Sequence, residues 1–341
     1  MMMLSVPTLE EDTAAAKAAT KLFASPIFRS QSSFIRVADL EMDETSHSAT
    51  SAEQESFPNY HHAAADPPPG VDYDPKERWI ALTDADGTHA PIAPIAVQRL
   101  ANFGRETCLD QSMWMPHGNM GKILKNPNTP AWVKSTFLKS GKIQLNARPT
   151  SEEQDVFVWT GSFKHGLYGS ELPAVRSCGI VNMSAKALVE LLVDSSRVKE
   201  YNKLCLGRQD LVTFQDTMDS EGPFGRSITK VMKSESKPPM IRISLIFESV
   251  MHAKELEDGS GYLIVTRAVH IPEERGSKKG SKSEVIMGVN LIRKVQGAED
   301  SRCLMTNVNH LRSPKVPIMI AKRIGLTAAV SYIKDIRSCC R

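Results

Sequence analysis

Between Pro238 and Val295 the chain alternates apolar and polar residues in successive runs, and this alternation restricts the fold more than any other feature. Ile241, Ile243, Leu245, Phe247 and Met251 occupy alternate positions, and Val285, Met287, Val289 and Leu291 do so again. A period of two marks a strand with one apolar face. Between these runs, Tyr262 to His270 is β-rich. Glu257-Asp258-Gly259-Ser260-Gly261 precedes it, and Asp and Gly tolerate the left-handed backbone of a hairpin turn. Three consecutive strands with apolar faces predict an antiparallel sheet that must cover something. That something is either a packed core or a ligand.

The flanking sequence supplies helices for such a sheet. Asp155–Gly161 and Ala174–Met183 read as strands, and Ser184 is a good N-cap for a helix over Ala185–Val193 that buries Leu188, Leu191 and Leu192. A second short helix ends near Tyr201-Asn202. Further strands are predicted at Leu211–Phe214, Ser227–Met232 and Cys303–Leu311, with a turn at Gly222-Pro223. A long helix from about Lys315 to Ser338 closes the chain, with Pro317 in its first turn. Its inward face carries Ile318, Ala321, Gly325, Ala328, Ala329, Tyr332 and Ile336. Gly325 in a helix interior costs about 1 kcal/mol relative to Ala. Small residues there let the helix lie close to a sheet, or leave space above it.

The rest of the chain divides by composition. Residues 1–75 predict a disordered tail and linker, acidic and Ser-rich before Pro67-Pro68-Pro69-Gly70, with a short helix at Thr13–Phe23. Phe23–Val37 lacks acids, as an organelle-targeting peptide does, but Glu10, Glu11 and Asp12 stand just upstream. Residues 76–150 are mixed: a short strand near Trp79–Leu82, a helical stripe at Ile92–Phe103 and a helix after Pro130. Trp114 and Trp132 predict that this segment packs on the domain at 151–341. The net charge of +3 and 6% aromatic content give no sign of a nucleic-acid partner. The six cysteines form no CxxC, so reduced thiols in an intracellular, cytoplasmic protein are expected, with no metal, cofactor or disulfide framework.

Three stretches carry a resemblance. Leu191–Asn202 (LLVDSSRVKEYN) has Asp194, Arg197 and Tyr201 in a D-x-x-R-x-x-x-W/Y spacing. Glu257–Pro272 (EDGSGYLIVTRAVHIP) places Arg267, Ala268, Val269 and Pro272 after an acidic-Asp-Gly hairpin, and Pro314–Arg337 introduces the terminal helix with proline. In this order, over about residues 155–340, they resemble the START family of lipid-transfer domains. The resemblance implies an α+β helix-grip fold, in which a curved antiparallel sheet wraps around the long C-terminal helix over an apolar tunnel. Met251 stands where several family members place a charge, which leans toward an apolar cargo or one held by hydroxyl and amide groups.

The implied tunnel lining is Phe247, Met251, Val265, Met287, Val289, Ile318 and Tyr332, and the candidate polar contacts are Arg267, Thr306 and His310. Glu248 or Glu284 could pair with an inward Arg267. The expected partner is a lipid (a sterol, a phospholipid or another apolar lipid), with transient contact to a membrane surface, for which the basic loop Arg275–Lys282 is the candidate, and the protein a monomer. No catalytic motif is present, so non-catalytic lipid binding and transfer is the leading expectation. A lyase or hydrolase on the same fold superclass, and a regulatory module with a degenerate lipid site, are the alternatives. Titratable groups converging on the tunnel would favour the enzyme, and a filled tunnel the regulatory module.

Overall fold

A computed structural model describes residues 80–81, 94–118, 125, 129, 131–145, 153, 155–161, 174–239, 241–270 and 281–340. The expected tail at 1–75 and most of the basic loop at 275–282 lie outside the described residues.

The strands are β1 (Ile80–Ala81), β2 (Trp114–Pro116), β3 (Phe157–Gly161), β4 (Ala174–Val181), β5 (Cys205–Thr217), β6 (Ser227–Ser236), β7 (Leu245–Glu255), β8 (Gly261–His270), β9 (Ser281–Lys294) and β10 (Cys303–Arg312). The helices are α1 (Pro94–Leu109), α2 (Ala131–Ser135), α3 (Ala185–Val193), α4 (Val198–Tyr201) and α5 (Ile318–Ser338). The strands form one sheet in the order β2-β3-β4-β10-β9-β8-β7-β6-β5, and the short β1 runs parallel to β8. Neighbours along the path are antiparallel, as alternation and hairpin turns require. Asp258 accepts from the Ser260 amide at 3.0 Å, and Gly259 takes a φ of +65° to close the β7–β8 turn.

The sheet is covered on both faces. On one face α1 lies against β8 and β9 over a core that includes Leu100, Ala101, Val265, Met287, Val289 and Leu291. Buried arginines fasten the segment around α1 and α2 to that face. Arg176 donates to the carbonyls of Cys108 (3.0 Å) and Thr136 (2.8 Å), and its guanidinium lies 3.9 Å from the Phe137 ring centroid. Arg293 donates to the carbonyls of Leu138 at 2.7 Å and Ser140 at 2.9 Å. The carbonyls of Cys108 and Thr136 belong to buried residues and would be costly unpaired, whereas Leu138 and Ser140 lie at the surface.

On the other face lies α5, packed chiefly on β4 with further contacts to β3 and β10, while α4 links it to β5; this is the helix-grip arrangement. Its C-terminal half is pinned: Arg337 donates to the carbonyls of Ile180 (2.7 Å), Glu153 and Asp155 (3.0 Å each). Gly179 permits the approach, since a Cβ there would sit 2.8 Å from Arg337 Nη2. Ser184 caps α3 by accepting from the Ala187 amide at 3.1 Å. Pro317 is the N-cap of α5 rather than part of its first turn, and its carbonyl accepts from the Ala321 amide at 2.9 Å.

Candidate ligand-binding cavity

Between Ala321 and Asp335 one side of α5 stands off from the sheet. A cavity of about 300 Å³ occupies the gap, partly open to solvent. Leu245, Phe247 and Met251 from β7, with Met232 from β6, form an apolar wall. The helix contributes Ala321, Ile324, Gly325, Ala328 and Tyr332. The small residues leave this space: a Cβ on Gly325 would meet only Val175 Cγ2, at 3.6 Å. A cavity with such walls accepts apolar molecules.

The polar lining has two parts. At one end Tyr201 on α4 and Tyr332 on α5 meet edge to face, ring centroids 6.0 Å apart. Tyr201 donates to the Leu192 carbonyl at 3.1 Å, and Arg208 donates to the same carbonyl at 2.8 Å and to Ser195 Oγ at 2.9 Å. The Tyr332 hydroxyl has no hydrogen-bond partner among the described residues. Burial pushes both phenols up from their ordinary range, so each stays a neutral donor at physiological pH. On the sheet floor stands a row of amides: Asn309 donates to Asn307 Oδ1 at 2.6 Å, and Asn307 donates to Asn290 Oδ1 at 2.7 Å.

Of the residues singled out in the sequence, Phe247, Met251, Val289 and Tyr332 border this cavity. Val289 does so while its side chain belongs to the α1 core, with Cγ2 only 3.3 Å from where a Cβ on Gly104 would lie. Val265 and Met287 belong to that same core. Arg267 shares the face of Val265 by strand alternation, while Thr266 between them lines the cavity. Thr306 and His310 are buried on β10, out of phase with the cavity-lining Asn307 and Asn309. Ile318 opens α5 and is 50% exposed. Glu248 pairs with Lys282 at 3.4 Å and Glu284 with Arg312 at 3.4 Å, so these carboxylates have partners other than Arg267.

The asparagine row and Arg208 escaped the sequence reading, which followed apolar periodicity. The signal was Asn307-Val308-Asn309, two amides at alternate positions and so on one face of the strand. Among the described residues, no cluster of three or more His, Cys, Asp or Glu could hold a metal ion. All six cysteines are free, and burial pushes the Cys178 thiol up to about 12.

Sheet, helix and cavity together define a helix-grip domain with an amphipathic internal pocket. No family model matches the chain, and no curated protein matches it. Among solved structures it is similar to human STARD10, at 13% identity over 76% of this chain and 83% of that one, with a TM-score of 0.49. It is also similar to human StAR-related lipid transfer protein 5, at 10% identity over 71% of this chain and 97% of that one, TM-score 0.47. The lipid transfer and protein localization domain of human StarD13 is similar at 14% identity over 59% of this chain and 90% of that one, TM-score 0.44.

Proposed function

We propose that this protein is a START-like lipid carrier: it binds one lipid molecule between sheet and helix, without catalysis, and exchanges it at a membrane surface. The observation that carries the reading is the unfilled space beneath Gly325 and Ala328, bounded by Phe247 and Met251, where a packed core would place larger side chains. Burying a ligand's hydrocarbon there contributes about 25 cal/mol per Å².

Entry follows from how α5 is held. Its C-terminal half is tied through Arg337, while its N-terminal end rests on a small separate cluster of Leu245, Phe247 and Val316. That end is the part that swings to admit ligand. Ile318 and Met319 are exposed beside Lys315, Lys322 and Arg323, a mixture suited to brief contact with an anionic membrane. Each basic residue near such a surface adds about 1 kcal/mol. The protein acts as a cytoplasmic monomer in this reading.

Native mass spectrometry of the purified protein, followed by extraction of whatever dissociates, tests the reading. A stoichiometric lipid, either copurified or acquired from mixed liposomes, is expected. An apo mass unchanged by liposomes would refute it.

A further inference from the structure

The amides on the cavity floor have a chemistry that the apolar walls do not explain. We propose that they select the ligand: an uncharged lipid bearing a hydroxyl or amide group that docks on Asn290 and Asn309. The proposal rests on the lipid-binding reading above and specifies the lipid's class.

Asn290 on β9 and Asn307 on β10 face each other directly in register, and Asn309 follows on the same face of β10. All three line the cavity. The row is directional, because each internal bond uses an amide N–H of one residue and the oxygen of the next. Two ends therefore remain open toward the ligand. Asn290 Nδ2 offers donors, and Asn309 Oδ1 offers an acceptor. Diagonal neighbours on a sheet stand about 7–8 Å apart, so a hydroxyl engages one open end of the row at a time, whereas an amide, with both N–H and C=O, can address the two. Val175, the register partner of Asn309, is also the nearest side chain to Gly325. The row thus lies beneath the stretch of α5 with the least side-chain bulk.

Covering such a row with plain hydrocarbon would strand its open donors and acceptor away from water. A ligand that can both donate and accept avoids that loss, so the site discriminates against analogues lacking the group. The charged side chains on the wall are already engaged. Arg208 is bound to Ser195 and Leu192, and Asp335 pairs with Lys203 at 3.0 Å. They leave the floor itself neutral. About 300 Å³ lies at the small end of ligand pockets, which suits one chain or one ring system better than a two-chain phospholipid.

The test is a set of probes with one chain length: a fatty alcohol, the primary fatty amide, the methyl ether of the alcohol and the fatty acid. Affinities are read by native mass spectrometry or calorimetry on the full chain. The alcohol and the amide are expected to bind about tenfold tighter than the ether, one hydrogen bond's worth. In the double variant Asn290→Leu/Asn309→Leu that preference is expected to vanish while the ether still binds. Equal affinities across the wild-type series, or preference for the acid, would overturn the selection and leave lipid binding standing. Failure of every probe to bind would overturn both. Asn309→Leu alone replaces the double variant if that does not fold, and the wild-type series decides without either.

Discussion

A Cβ on Gly104 would sit 2.8 Å from Cγ1 of Val265, so α1 touches the sheet at a point where no side chain fits. The other helical glycine among the described residues, Gly325, has ordinary room, with its nearest neighbour at 3.6 Å. The two positions should answer the same substitution with opposite signs. Gly325→Ala is expected to stabilise by up to about 1 kcal/mol, the helix-propensity gain. Gly104→Ala is expected to destabilise by about 1 kcal/mol, because overpacking outweighs that gain. Urea denaturation of both variants measures this, and equal signs would show that one helix is misplaced.

Arg176 is the tie whose loss should matter most on the α1 face. It serves two buried carbonyls and lies over the rings of both Phe137 and Trp159, which themselves meet edge to face. Arg176→Met is expected to cost about 3 kcal/mol, since the carbonyls of Cys108 and Thr136 lose charged donors. Hydrogen exchange should rise first in residues 94–145. Unchanged protection there would mean that the segment is held by other contacts.

Met251 is 4% exposed and faces the cavity opposite Thr266. Met251→Arg places a charge with no counter-ion on an apolar wall, where burial of an unpaired ion is strongly unfavourable. A folded protein that no longer takes up lipid is expected, judged by circular dichroism alongside native mass spectrometry. Wild-type loading of the folded variant would remove this wall from the site.

His252 predicts a pH dependence. It is buried with Nδ1 2.8 Å from Thr229 Oγ1, and burial, then the charge of Lys254, lowers its pKa from 6.5 to about 4. The folded state keeps the ring neutral, whereas the unfolded chain takes up a proton below about 6.5, so the unfolded state binds more protons in this window. Stability should therefore fall as pH drops from 6.5 toward 4, by up to roughly 3 kcal/mol from this group. His252→Gln should flatten that part of the profile. An identical profile in the variant would assign the acid sensitivity to other groups.

The strands, the hairpin at Asp258-Gly259, the cap at Ser184 and the small-residue face of α5 were legible because each follows from local chemistry. Which face of the sheet holds the cavity was not, because both faces are apolar. Val265 and Arg267 do share a face, as their spacing predicts, but α1 and its neighbouring segment cover it. Strand β9 misled for a further reason. Leu311 pairs with Val285 and His310 with Met287, so Ile286 is an extra residue in a bulge. Val285 consequently lines the cavity while Met287 faces α1, although the sequence spaces them as same-face residues. Ile318 failed differently: it is the first residue of α5, and helical periodicity cannot tell where the supporting sheet ends.

The most direct measurement of the central claim is photo-crosslinking with a lipid carrying a photoactivatable group in its hydrocarbon chain, followed by peptide mapping. Adducts at Phe247, Met251 and Tyr332 are expected, competed away by unlabelled lipid. Adducts confined to the exposed Met115, Ile318 and Met319 would contradict it, placing the lipid on the surface rather than between sheet and helix.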